Sequence, residues 1–318
     1  MDILRFMLGR IGQALVVVFV VTIIVFLLLH ALPGGPARGV LGVQATPEQI
    51  ALFNTAQGLD KPLVVQYIDY LGRLLQGDLG TSYVLNASVS DMLVQRLPKT
   101  LLLSVLSAAV GLAIAIPVGL WQASRRGKPS DYVLTALSFV AYATPVFFLG
   151  LVLIVVFSQV LPILPSQAPQ GDTIWQILGD PAALILPVAA GSLGMVAVFS
   201  RYMRSSTLDN LSEDYVRTAL AKGTPMRKVL QRHVFRNSLT AITTMLGYYI
   251  PVLFGGALVV EQLFNFPGMG LLFWSAAQAP DFPILLGCVL VISIATVVGS
   301  LLADLAQVLI DPRVKEAR

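Results

Sequence analysis

Charge, histidine and cysteine are all scarce in this chain, and each scarcity removes a class of function. Asp, Glu, Lys and Arg make up 12% of the 318 residues, against about a quarter in soluble domains. Hydrophobic residues fill 56% and the mean hydropathy is +0.79, a composition suited to lipid rather than water. The two histidines, His30 and His233, sit in segments that fall on opposite sides of a membrane. Neither a Ser-His-Asp arrangement nor a four-ligand metal cluster can be assembled from them. The single cysteine, Cys288, excludes an internal disulfide framework and reads as a small core residue in an apolar run. "RGKPSD" at 126–131 holds Gly-Lys-x-Ser but has Gln122 where a phosphate loop needs its upstream glycine. "PGMG" at 267–270 lacks the strand-to-helix setting of a dinucleotide turn, and Asn86-Ala87-Ser88 matches a glycosylation sequon only by chance. Nothing calls for nucleic acid.

What is present is apolar length. A bilayer crossing needs roughly 20 apolar residues, and six runs qualify: 11–32, 100–122, 132–161, 182–200, 238–260 and 283–303. The third is long enough to tilt or kink, with Pro145 near its middle, and the last extends past Asp304 to 310. The first is too long for a signal segment and no Ala-x-Ala cleavage site follows it. The expected fold is therefore all-α: a polytopic membrane protein with six transmembrane helices. Of the 21 Lys and Arg residues, 16 fall in the N-terminus, 123–131, 201–237 and the C-terminal tail, and five fall in the segments between. The positive-inside rule makes the first set cytoplasmic, with both termini inside. The net charge of +4 follows from this topology.

The expected organisation is 1–32 for the N-terminus and first span, and 33–99 for a small helical extracytoplasmic region. A membrane core of spans two to six follows at 100–310, with a cytoplasmic loop at 201–237, and a tail at 311–318. In the outer region Thr46, Pro47 and Gln49 form a capping box with proline at the first helical position, and Gly58 stops that helix. A second helix over 62–76 places Leu63, Tyr67, Tyr70, Leu71 and Leu74 on one face and ends at Gly77. A third, short one lies near 89–97. The outer stretches 162–181 and 261–282 are rich in Pro and Gly and read as loops.

The first five runs contain no Asp, Glu, Lys or Arg. Ion-coupled transport needs an ionisable relay at membrane depth, so a secondary transporter is disfavoured. Asp304 reads as an interfacial carboxylate. Helix breakers inside the runs (Pro117, Pro145, Pro187 and Pro251, with Gly191, Gly194, Gly255 and Gly256) suit helices that bend around a cavity or approach closely.

One polar segment stands out. "EDYVRTALAKGTPMRKVLQRHVFRNSL" at 213–239 holds eight of the chain's 38 charged residues. Leu208, Leu211, Tyr215, Ala219 and Leu220 recur at helical spacing, and Gly223 breaks the pattern. Thr224 reads as an N-cap with Pro225 at the first position of a second helix, whose face is Met226, Val229, Leu230 and His233. Two short amphipathic helices at a glycine elbow fit a partner's groove.

This segment, through "EDYVRTALAKG" and "VLQRHVFRNSL", resembles the coupling loop of ABC importer permeases. The likeness is to the dipeptide/oligopeptide/nickel family, on the side of its first permease subunit. "VFLLLHALPGGPA" at 25–37, "GLDKPLVVQYIDYLGRLLQGDLGTS" at 58–82, "RLPKTLLLS" at 96–104, "EQLFNFPGMG" at 261–270 and "DPRV" at 311–314 resemble family blocks in the family's order. Gly35 stands where the family has Asp, and Pro280 where it has Arg. Only Ala219 and Gly223 match the general permease loop motif.

The resemblance implies a type I importer permease in a bacterial plasma (inner) membrane, surrounded by lipid and paired with a sister permease as a heterodimer. It implies two ATP-binding subunits and an extracytoplasmic substrate-binding protein as further partners. The chain itself would be no enzyme and bind no cofactor, with ATP and Mg on the partner ATPases. It carries over a coupling role to Glu213, Asp214, Tyr215, Arg217, Ala219, Lys222, Gly223, Met226 and Arg227. Tyr142, Pro145, Tyr248 and Tyr249 are candidates for the substrate path. The substrate implied is a di- or oligopeptide, with nickel, glutathione or an opine left open.

Overall fold

In lipid, a backbone can satisfy its own polar groups within one segment only as a helix, and helices account for nearly all regular structure. Among the described residues the single departure is an antiparallel bridge between Thr81 and Ser88. The structure, a computed structural model, describes residues 3–31, 35–42 and 44–310; at 3–7, 28–29, 35, 251, 253–256, 303–304 and 306–310 it describes the backbone alone. The side chains of Asp304, Pro251, Gly255 and Gly256, the Gly35 position beyond its backbone, and the "DPRV" block lie outside the described residues.

In chain order the helices are α1 (Ile3–His30), α2 (Gly35–Leu41), α3 (Pro47–Gln57), α4 (Leu63–Leu75), α5 (Val89–Ser124), α6 (Pro129–Ala143) and α7 (Val146–Ile154). Then come α8 (Ile174–Leu178), α9 (Pro181–Leu211), α10 (Asp214–Ala221), α11 (Met226–Val229), α12 (Phe235–Leu263), α13 (Met269–Gln278) and α14 (Phe282–Ile310). Val155–Val160 continues α7, and Leu230–Val234 joins α11 to α12, as π-helical turns.

Among the described residues, four helices hold stretches long and apolar enough to cross a membrane: Leu8–Leu27 in α1, α5, α9, and Phe282–Leu302 in α14. The α6–α7 pair makes a fifth if the two are one span, bent by 105° at its break. The break has a local cause. Thr144 precedes Pro145, whose ring drives the preceding residue out of the helical region, and Thr144 sits at φ −86°, ψ 128°. Pro145 then caps α7.

The helices are longer than the apolar runs suggested. α5 takes in both the expected short helix at 89–97 and the second run, passing through Pro98, because no cap or glycine stands between them. α9 continues past Ser200 to Leu211, so residues 201–211 extend a helix rather than form a free loop. Two stretches read as loops contain helices: α8, started by a Thr173–Gln176 capping box, and α13.

The chain divides into two compact units, Met1–Thr100 with Pro267–Val297, and Leu101–Phe266 with Val298–Arg318. In the first, α3 starts at the expected capping box, with Thr46 Oγ1 accepting from the Gln49 amide and Gln49 Oε1 accepting from the Thr46 amide. Gly58 (φ +67°) ends α3 and Gly77 (φ +77°) follows α4. The buried face of α4 centres on Gln66 and Tyr70, while Leu63 is exposed. Gln66 is held by donating to the Leu59 and Lys61 carbonyls, and its Oε1 faces His30 Nε2 at 3.0 Å. Burial, with the neighbouring Tyr67, pushes the Tyr70 hydroxyl up to about 12. The buried Asp281 carboxylate accepts from Ser82 Oγ and from the Tyr83 and Val84 amides, which folds the turn before α5. Pro280 packs on α2, where a Cβ on Gly39 would meet it at 2.5 Å. Cys288 lies buried in an apolar cluster with Val89, Leu93, Met269 and Ile284.

In the second unit, small residues bring α5 against α9. Gly111, Ala115 and Gly119 repeat every fourth position on α5. A Cβ on Gly119 would come within 2.5 Å of the Ser200 carbonyl, and one on Gly111 within 3.0 Å of Met195. Close backbone approach of this kind is how helices associate in lipid, where the hydrophobic effect between them is absent. Met195, Phe199 and Met203 fill the seam.

Candidate functional site

The polar segment after α9 folds on itself as a helical hairpin. Glu213 occupies the N-cap position of α10, and Asp214 in the first turn suits the positive end of the helix dipole. Arg217 reaches Asp214 at 3.3 Å, but both side chains are largely in water, where such a pair contributes little. The α10 helix ends in a Schellman turn. Gly223 adopts φ +78°, its amide donates to the Leu220 carbonyl at 2.9 Å, and the Thr224 amide donates to the Ala219 carbonyl at 3.1 Å. The Gly223 elbow read from the sequence is thus present. Thr224 is not the N-cap expected of it: the second helix starts at Met226, with Pro225 at the cap position.

The hairpin has a small core of its own. Val216, Val229 and Val234 are fully buried, with Leu211, Tyr215, Ala219 and Leu230 packed around them. The Tyr215 hydroxyl donates to Asn210 Oδ1 at 2.8 Å and pins α10 to the end of α9. The inward and outward residues differ from the sequence pattern at three places. Val216, not Leu220, is the buried apolar side chain of α10. Leu208 and Leu211 belong to α9. Val234 rather than His233 faces inward, because the turn between is π-helical: Phe235 bonds back to the Leu230 carbonyl, and a five-residue step brings Val229 and Val234 to one side.

The outer rim of the hairpin carries Glu213, Asp214, Arg217, Lys222, Gly223 and Arg227, all exposed, with Leu220 39% and Met226 47% exposed among them. Leu220 and Met226 are thus apolar side chains left exposed among charged neighbours, outside the hairpin's own core. Of the nine residues expected in this role, Tyr215 and Ala219 instead point into the hairpin's core. Leu220, read from its spacing as part of the inward face with Ala219, stands at the exposed rim instead.

Of the four path candidates, Tyr249 lies at a cavity, while Tyr142 and Tyr248 are exposed. Tyr142 is exposed and takes the Arg201 guanidinium over its ring at 5.7 Å, and Tyr248 is 70% exposed. Pro145 serves the helix break. Tyr249 is half-buried, edge-on to Phe199 at 5.2 Å. It lines a cavity of about 60 Å³ with Gly191 and Gly194, and with Ser104 and Ser107 of α5. The serines were missed because a hydroxyl in an apolar run gives no periodic signal.

Residues 115–316 match the family described as binding-protein-dependent transport system inner membrane component. The chain belongs to that family. Residues 3–104 of this permease match the N-terminal part of the same membrane components. The oligopeptide transport system permease protein AppB of Bacillus subtilis is 38% identical over 93% of this chain and 94% of its own length. A putative peptide permease of Brucella ovis is 37% identical over 98% and 99%. The glutathione transport system permease protein GsiC of Salmonella choleraesuis is 35% identical over 98% and 99%. The permease is an all-α, multi-pass component of an ABC import system, and ATP hydrolysis in such systems belongs to separate subunits.

Proposed function

We propose that this permease is one of two membrane subunits that together enclose a path for di- and oligopeptides across a bacterial plasma membrane. Peptide-permease relatives that match almost the whole chain carry the substrate reading. Six spans are proposed: α1, α5, the α6–α7 pair, α9, α12 and α14. The 29-residue length of α12 supports its inclusion. The 16-to-5 division of Lys and Arg supports an orientation with both termini and the 213–234 hairpin in the cytoplasm and α2–α4 outside. In this reading two ATP-binding subunits, which hold the ATP and Mg, seat on the hairpins of this chain and its sister. An external binding protein delivers substrate. The hairpin's rim supports the docking role, since Leu220 and Met226 are exposed although the hairpin has its own closed core.

The test is uptake of labelled tri-alanine by the full complex in proteoliposomes. Uptake should require ATP on the ATPase side and persist when the proton gradient is collapsed. Uptake driven by a pH step without ATP would defeat the reading. The glutathione permease relative favours a second substrate reading, and the same assay separates them: ATP-dependent uptake of glutathione with none of tri-alanine replaces peptide by glutathione.

A further inference from the structure

Hydroxyls and glycines converge at one cavity inside the second unit. Ser104 and Ser107 of α5, Gly191 and Gly194 of α9 and Tyr249 of α12 share its wall. Ser104 and Ser107 are 8% and 3% exposed, and the Ser104 hydroxyl oxygen has no hydrogen-bond partner among the described residues. Burying an unpartnered hydroxyl is unfavourable, so such a group in a native structure points to something that satisfies it. The space is maintained by the glycines: a Cβ on Gly191 would lie 2.6 Å from Ser107 Oγ, and one on Gly194 would lie 3.6 Å from the Tyr249 hydroxyl. Phe199 packs edge-on against the Tyr249 ring at 5.2 Å.

The remaining lining is apolar, and among the described residues no Asp, Glu, Lys, Arg or His stands in the wall. A charged group would enter without a counter-charge and pay for its lost hydration. A neutral polar group meets hydroxyls that can both donate and accept. A cavity of about 60 Å³ takes one planar amide or about two waters.

We infer that Ser104, Ser107 and Tyr249 form a binding site for a neutral amide of the transported peptide. This rests on the peptide reading above. The probe is tri-alanine, used with the full complex carrying Ser104→Cys in proteoliposomes. A small neutral thiol reagent is added, and modification of this chain is read by mass. The unsubstituted chain, whose single cysteine is buried, sets the background. The Ser104→Cys thiol should be modified, and tri-alanine at roughly ten times its dissociation constant should slow the reaction about tenfold. Should Ser104→Cys fail to insert, Ser107→Cys gives the same readout. Modification that tri-alanine leaves unchanged, in a complex that takes tri-alanine up, overturns the site and leaves a water pocket. So does a thiol that never reacts, with or without ATP. A wild-type complex that takes up no tri-alanine fails the peptide reading itself and removes the amide assignment with it. That failure is visible in the uptake trace before any thiol chemistry.

Discussion

Arg204 of α9 grips Asp131 of α6 through two parallel bonds, Nε to Oδ1 at 2.7 Å and Nη2 to Oδ2 at 2.8 Å. The Gly127 amide adds a third donor to the same carboxylate at 3.1 Å. The planar guanidinium matches the carboxylate fork, which makes this the strongest polar geometry a side-chain pair offers. It fastens the turn before α6 to α9, two turns before the hairpin begins. The Asp131 side chain is 3% exposed and that of Arg204 29%. Breaking a fully buried pair costs about 3–5 kcal/mol. With one partner partly in water, Asp131→Asn or Arg204→Ala should each cost on the order of 2 kcal/mol. The double variant Asp131→Asn/Arg204→Ala should lose less than the sum of the singles. Thermal unfolding of the purified complex in detergent measures this, and additive losses would show that the pair is not coupled.

Gly223 tests the elbow. A side chain there meets open space but must adopt φ +78°, so the penalty is backbone strain and not a clash. Asn tolerates that region, whereas a β-branched residue does not. Gly223→Asn should keep substrate-stimulated ATP hydrolysis near wild type. Gly223→Val should insert normally and lose most of it. Equal activity in the two variants would show that the turn is not needed for transmission.

Ala219 and Leu220, adjacent in sequence, should fail differently. Ala219→Glu puts a carboxylate against Val216, Val229 and Val234 and should disorder the hairpin, read as faster proteolysis there. Leu220→Glu and Met226→Glu leave that core intact but charge the centre of the rim. They should preserve protease resistance while the ATPase subunits no longer copurify. Retained copurification with both rim variants would place the docking surface elsewhere.

Orientation is tested with exposed positions. Ala87 and Lys228 are both exposed, whereas Ser82 is buried beneath Asp281 and would make a poor reporter. In intact cells an impermeant thiol reagent should label Ala87→Cys and spare Lys228→Cys. Labelling of Lys228→Cys from outside would invert the proposed topology.

Composition alone determined that the chain is a helical membrane protein, because 56% apolar residues in runs of bilayer length leave the backbone no other way to satisfy itself. Local chemistry determined the caps at Thr46, Gly58, Gly77 and Gly223, since each depends on only a few neighbouring residues. Tertiary structure decided what no local pattern encodes. Asp131 and Arg204 are 73 positions apart, and from sequence each is one more basic-loop or acidic-loop charge. The inward turn of Val234 depends on a π-helical step that shifts the 3.6-residue period. Ser104, Ser107 and Tyr249 come from two helices, and they share a wall only because glycines on a third, α9, leave room between them.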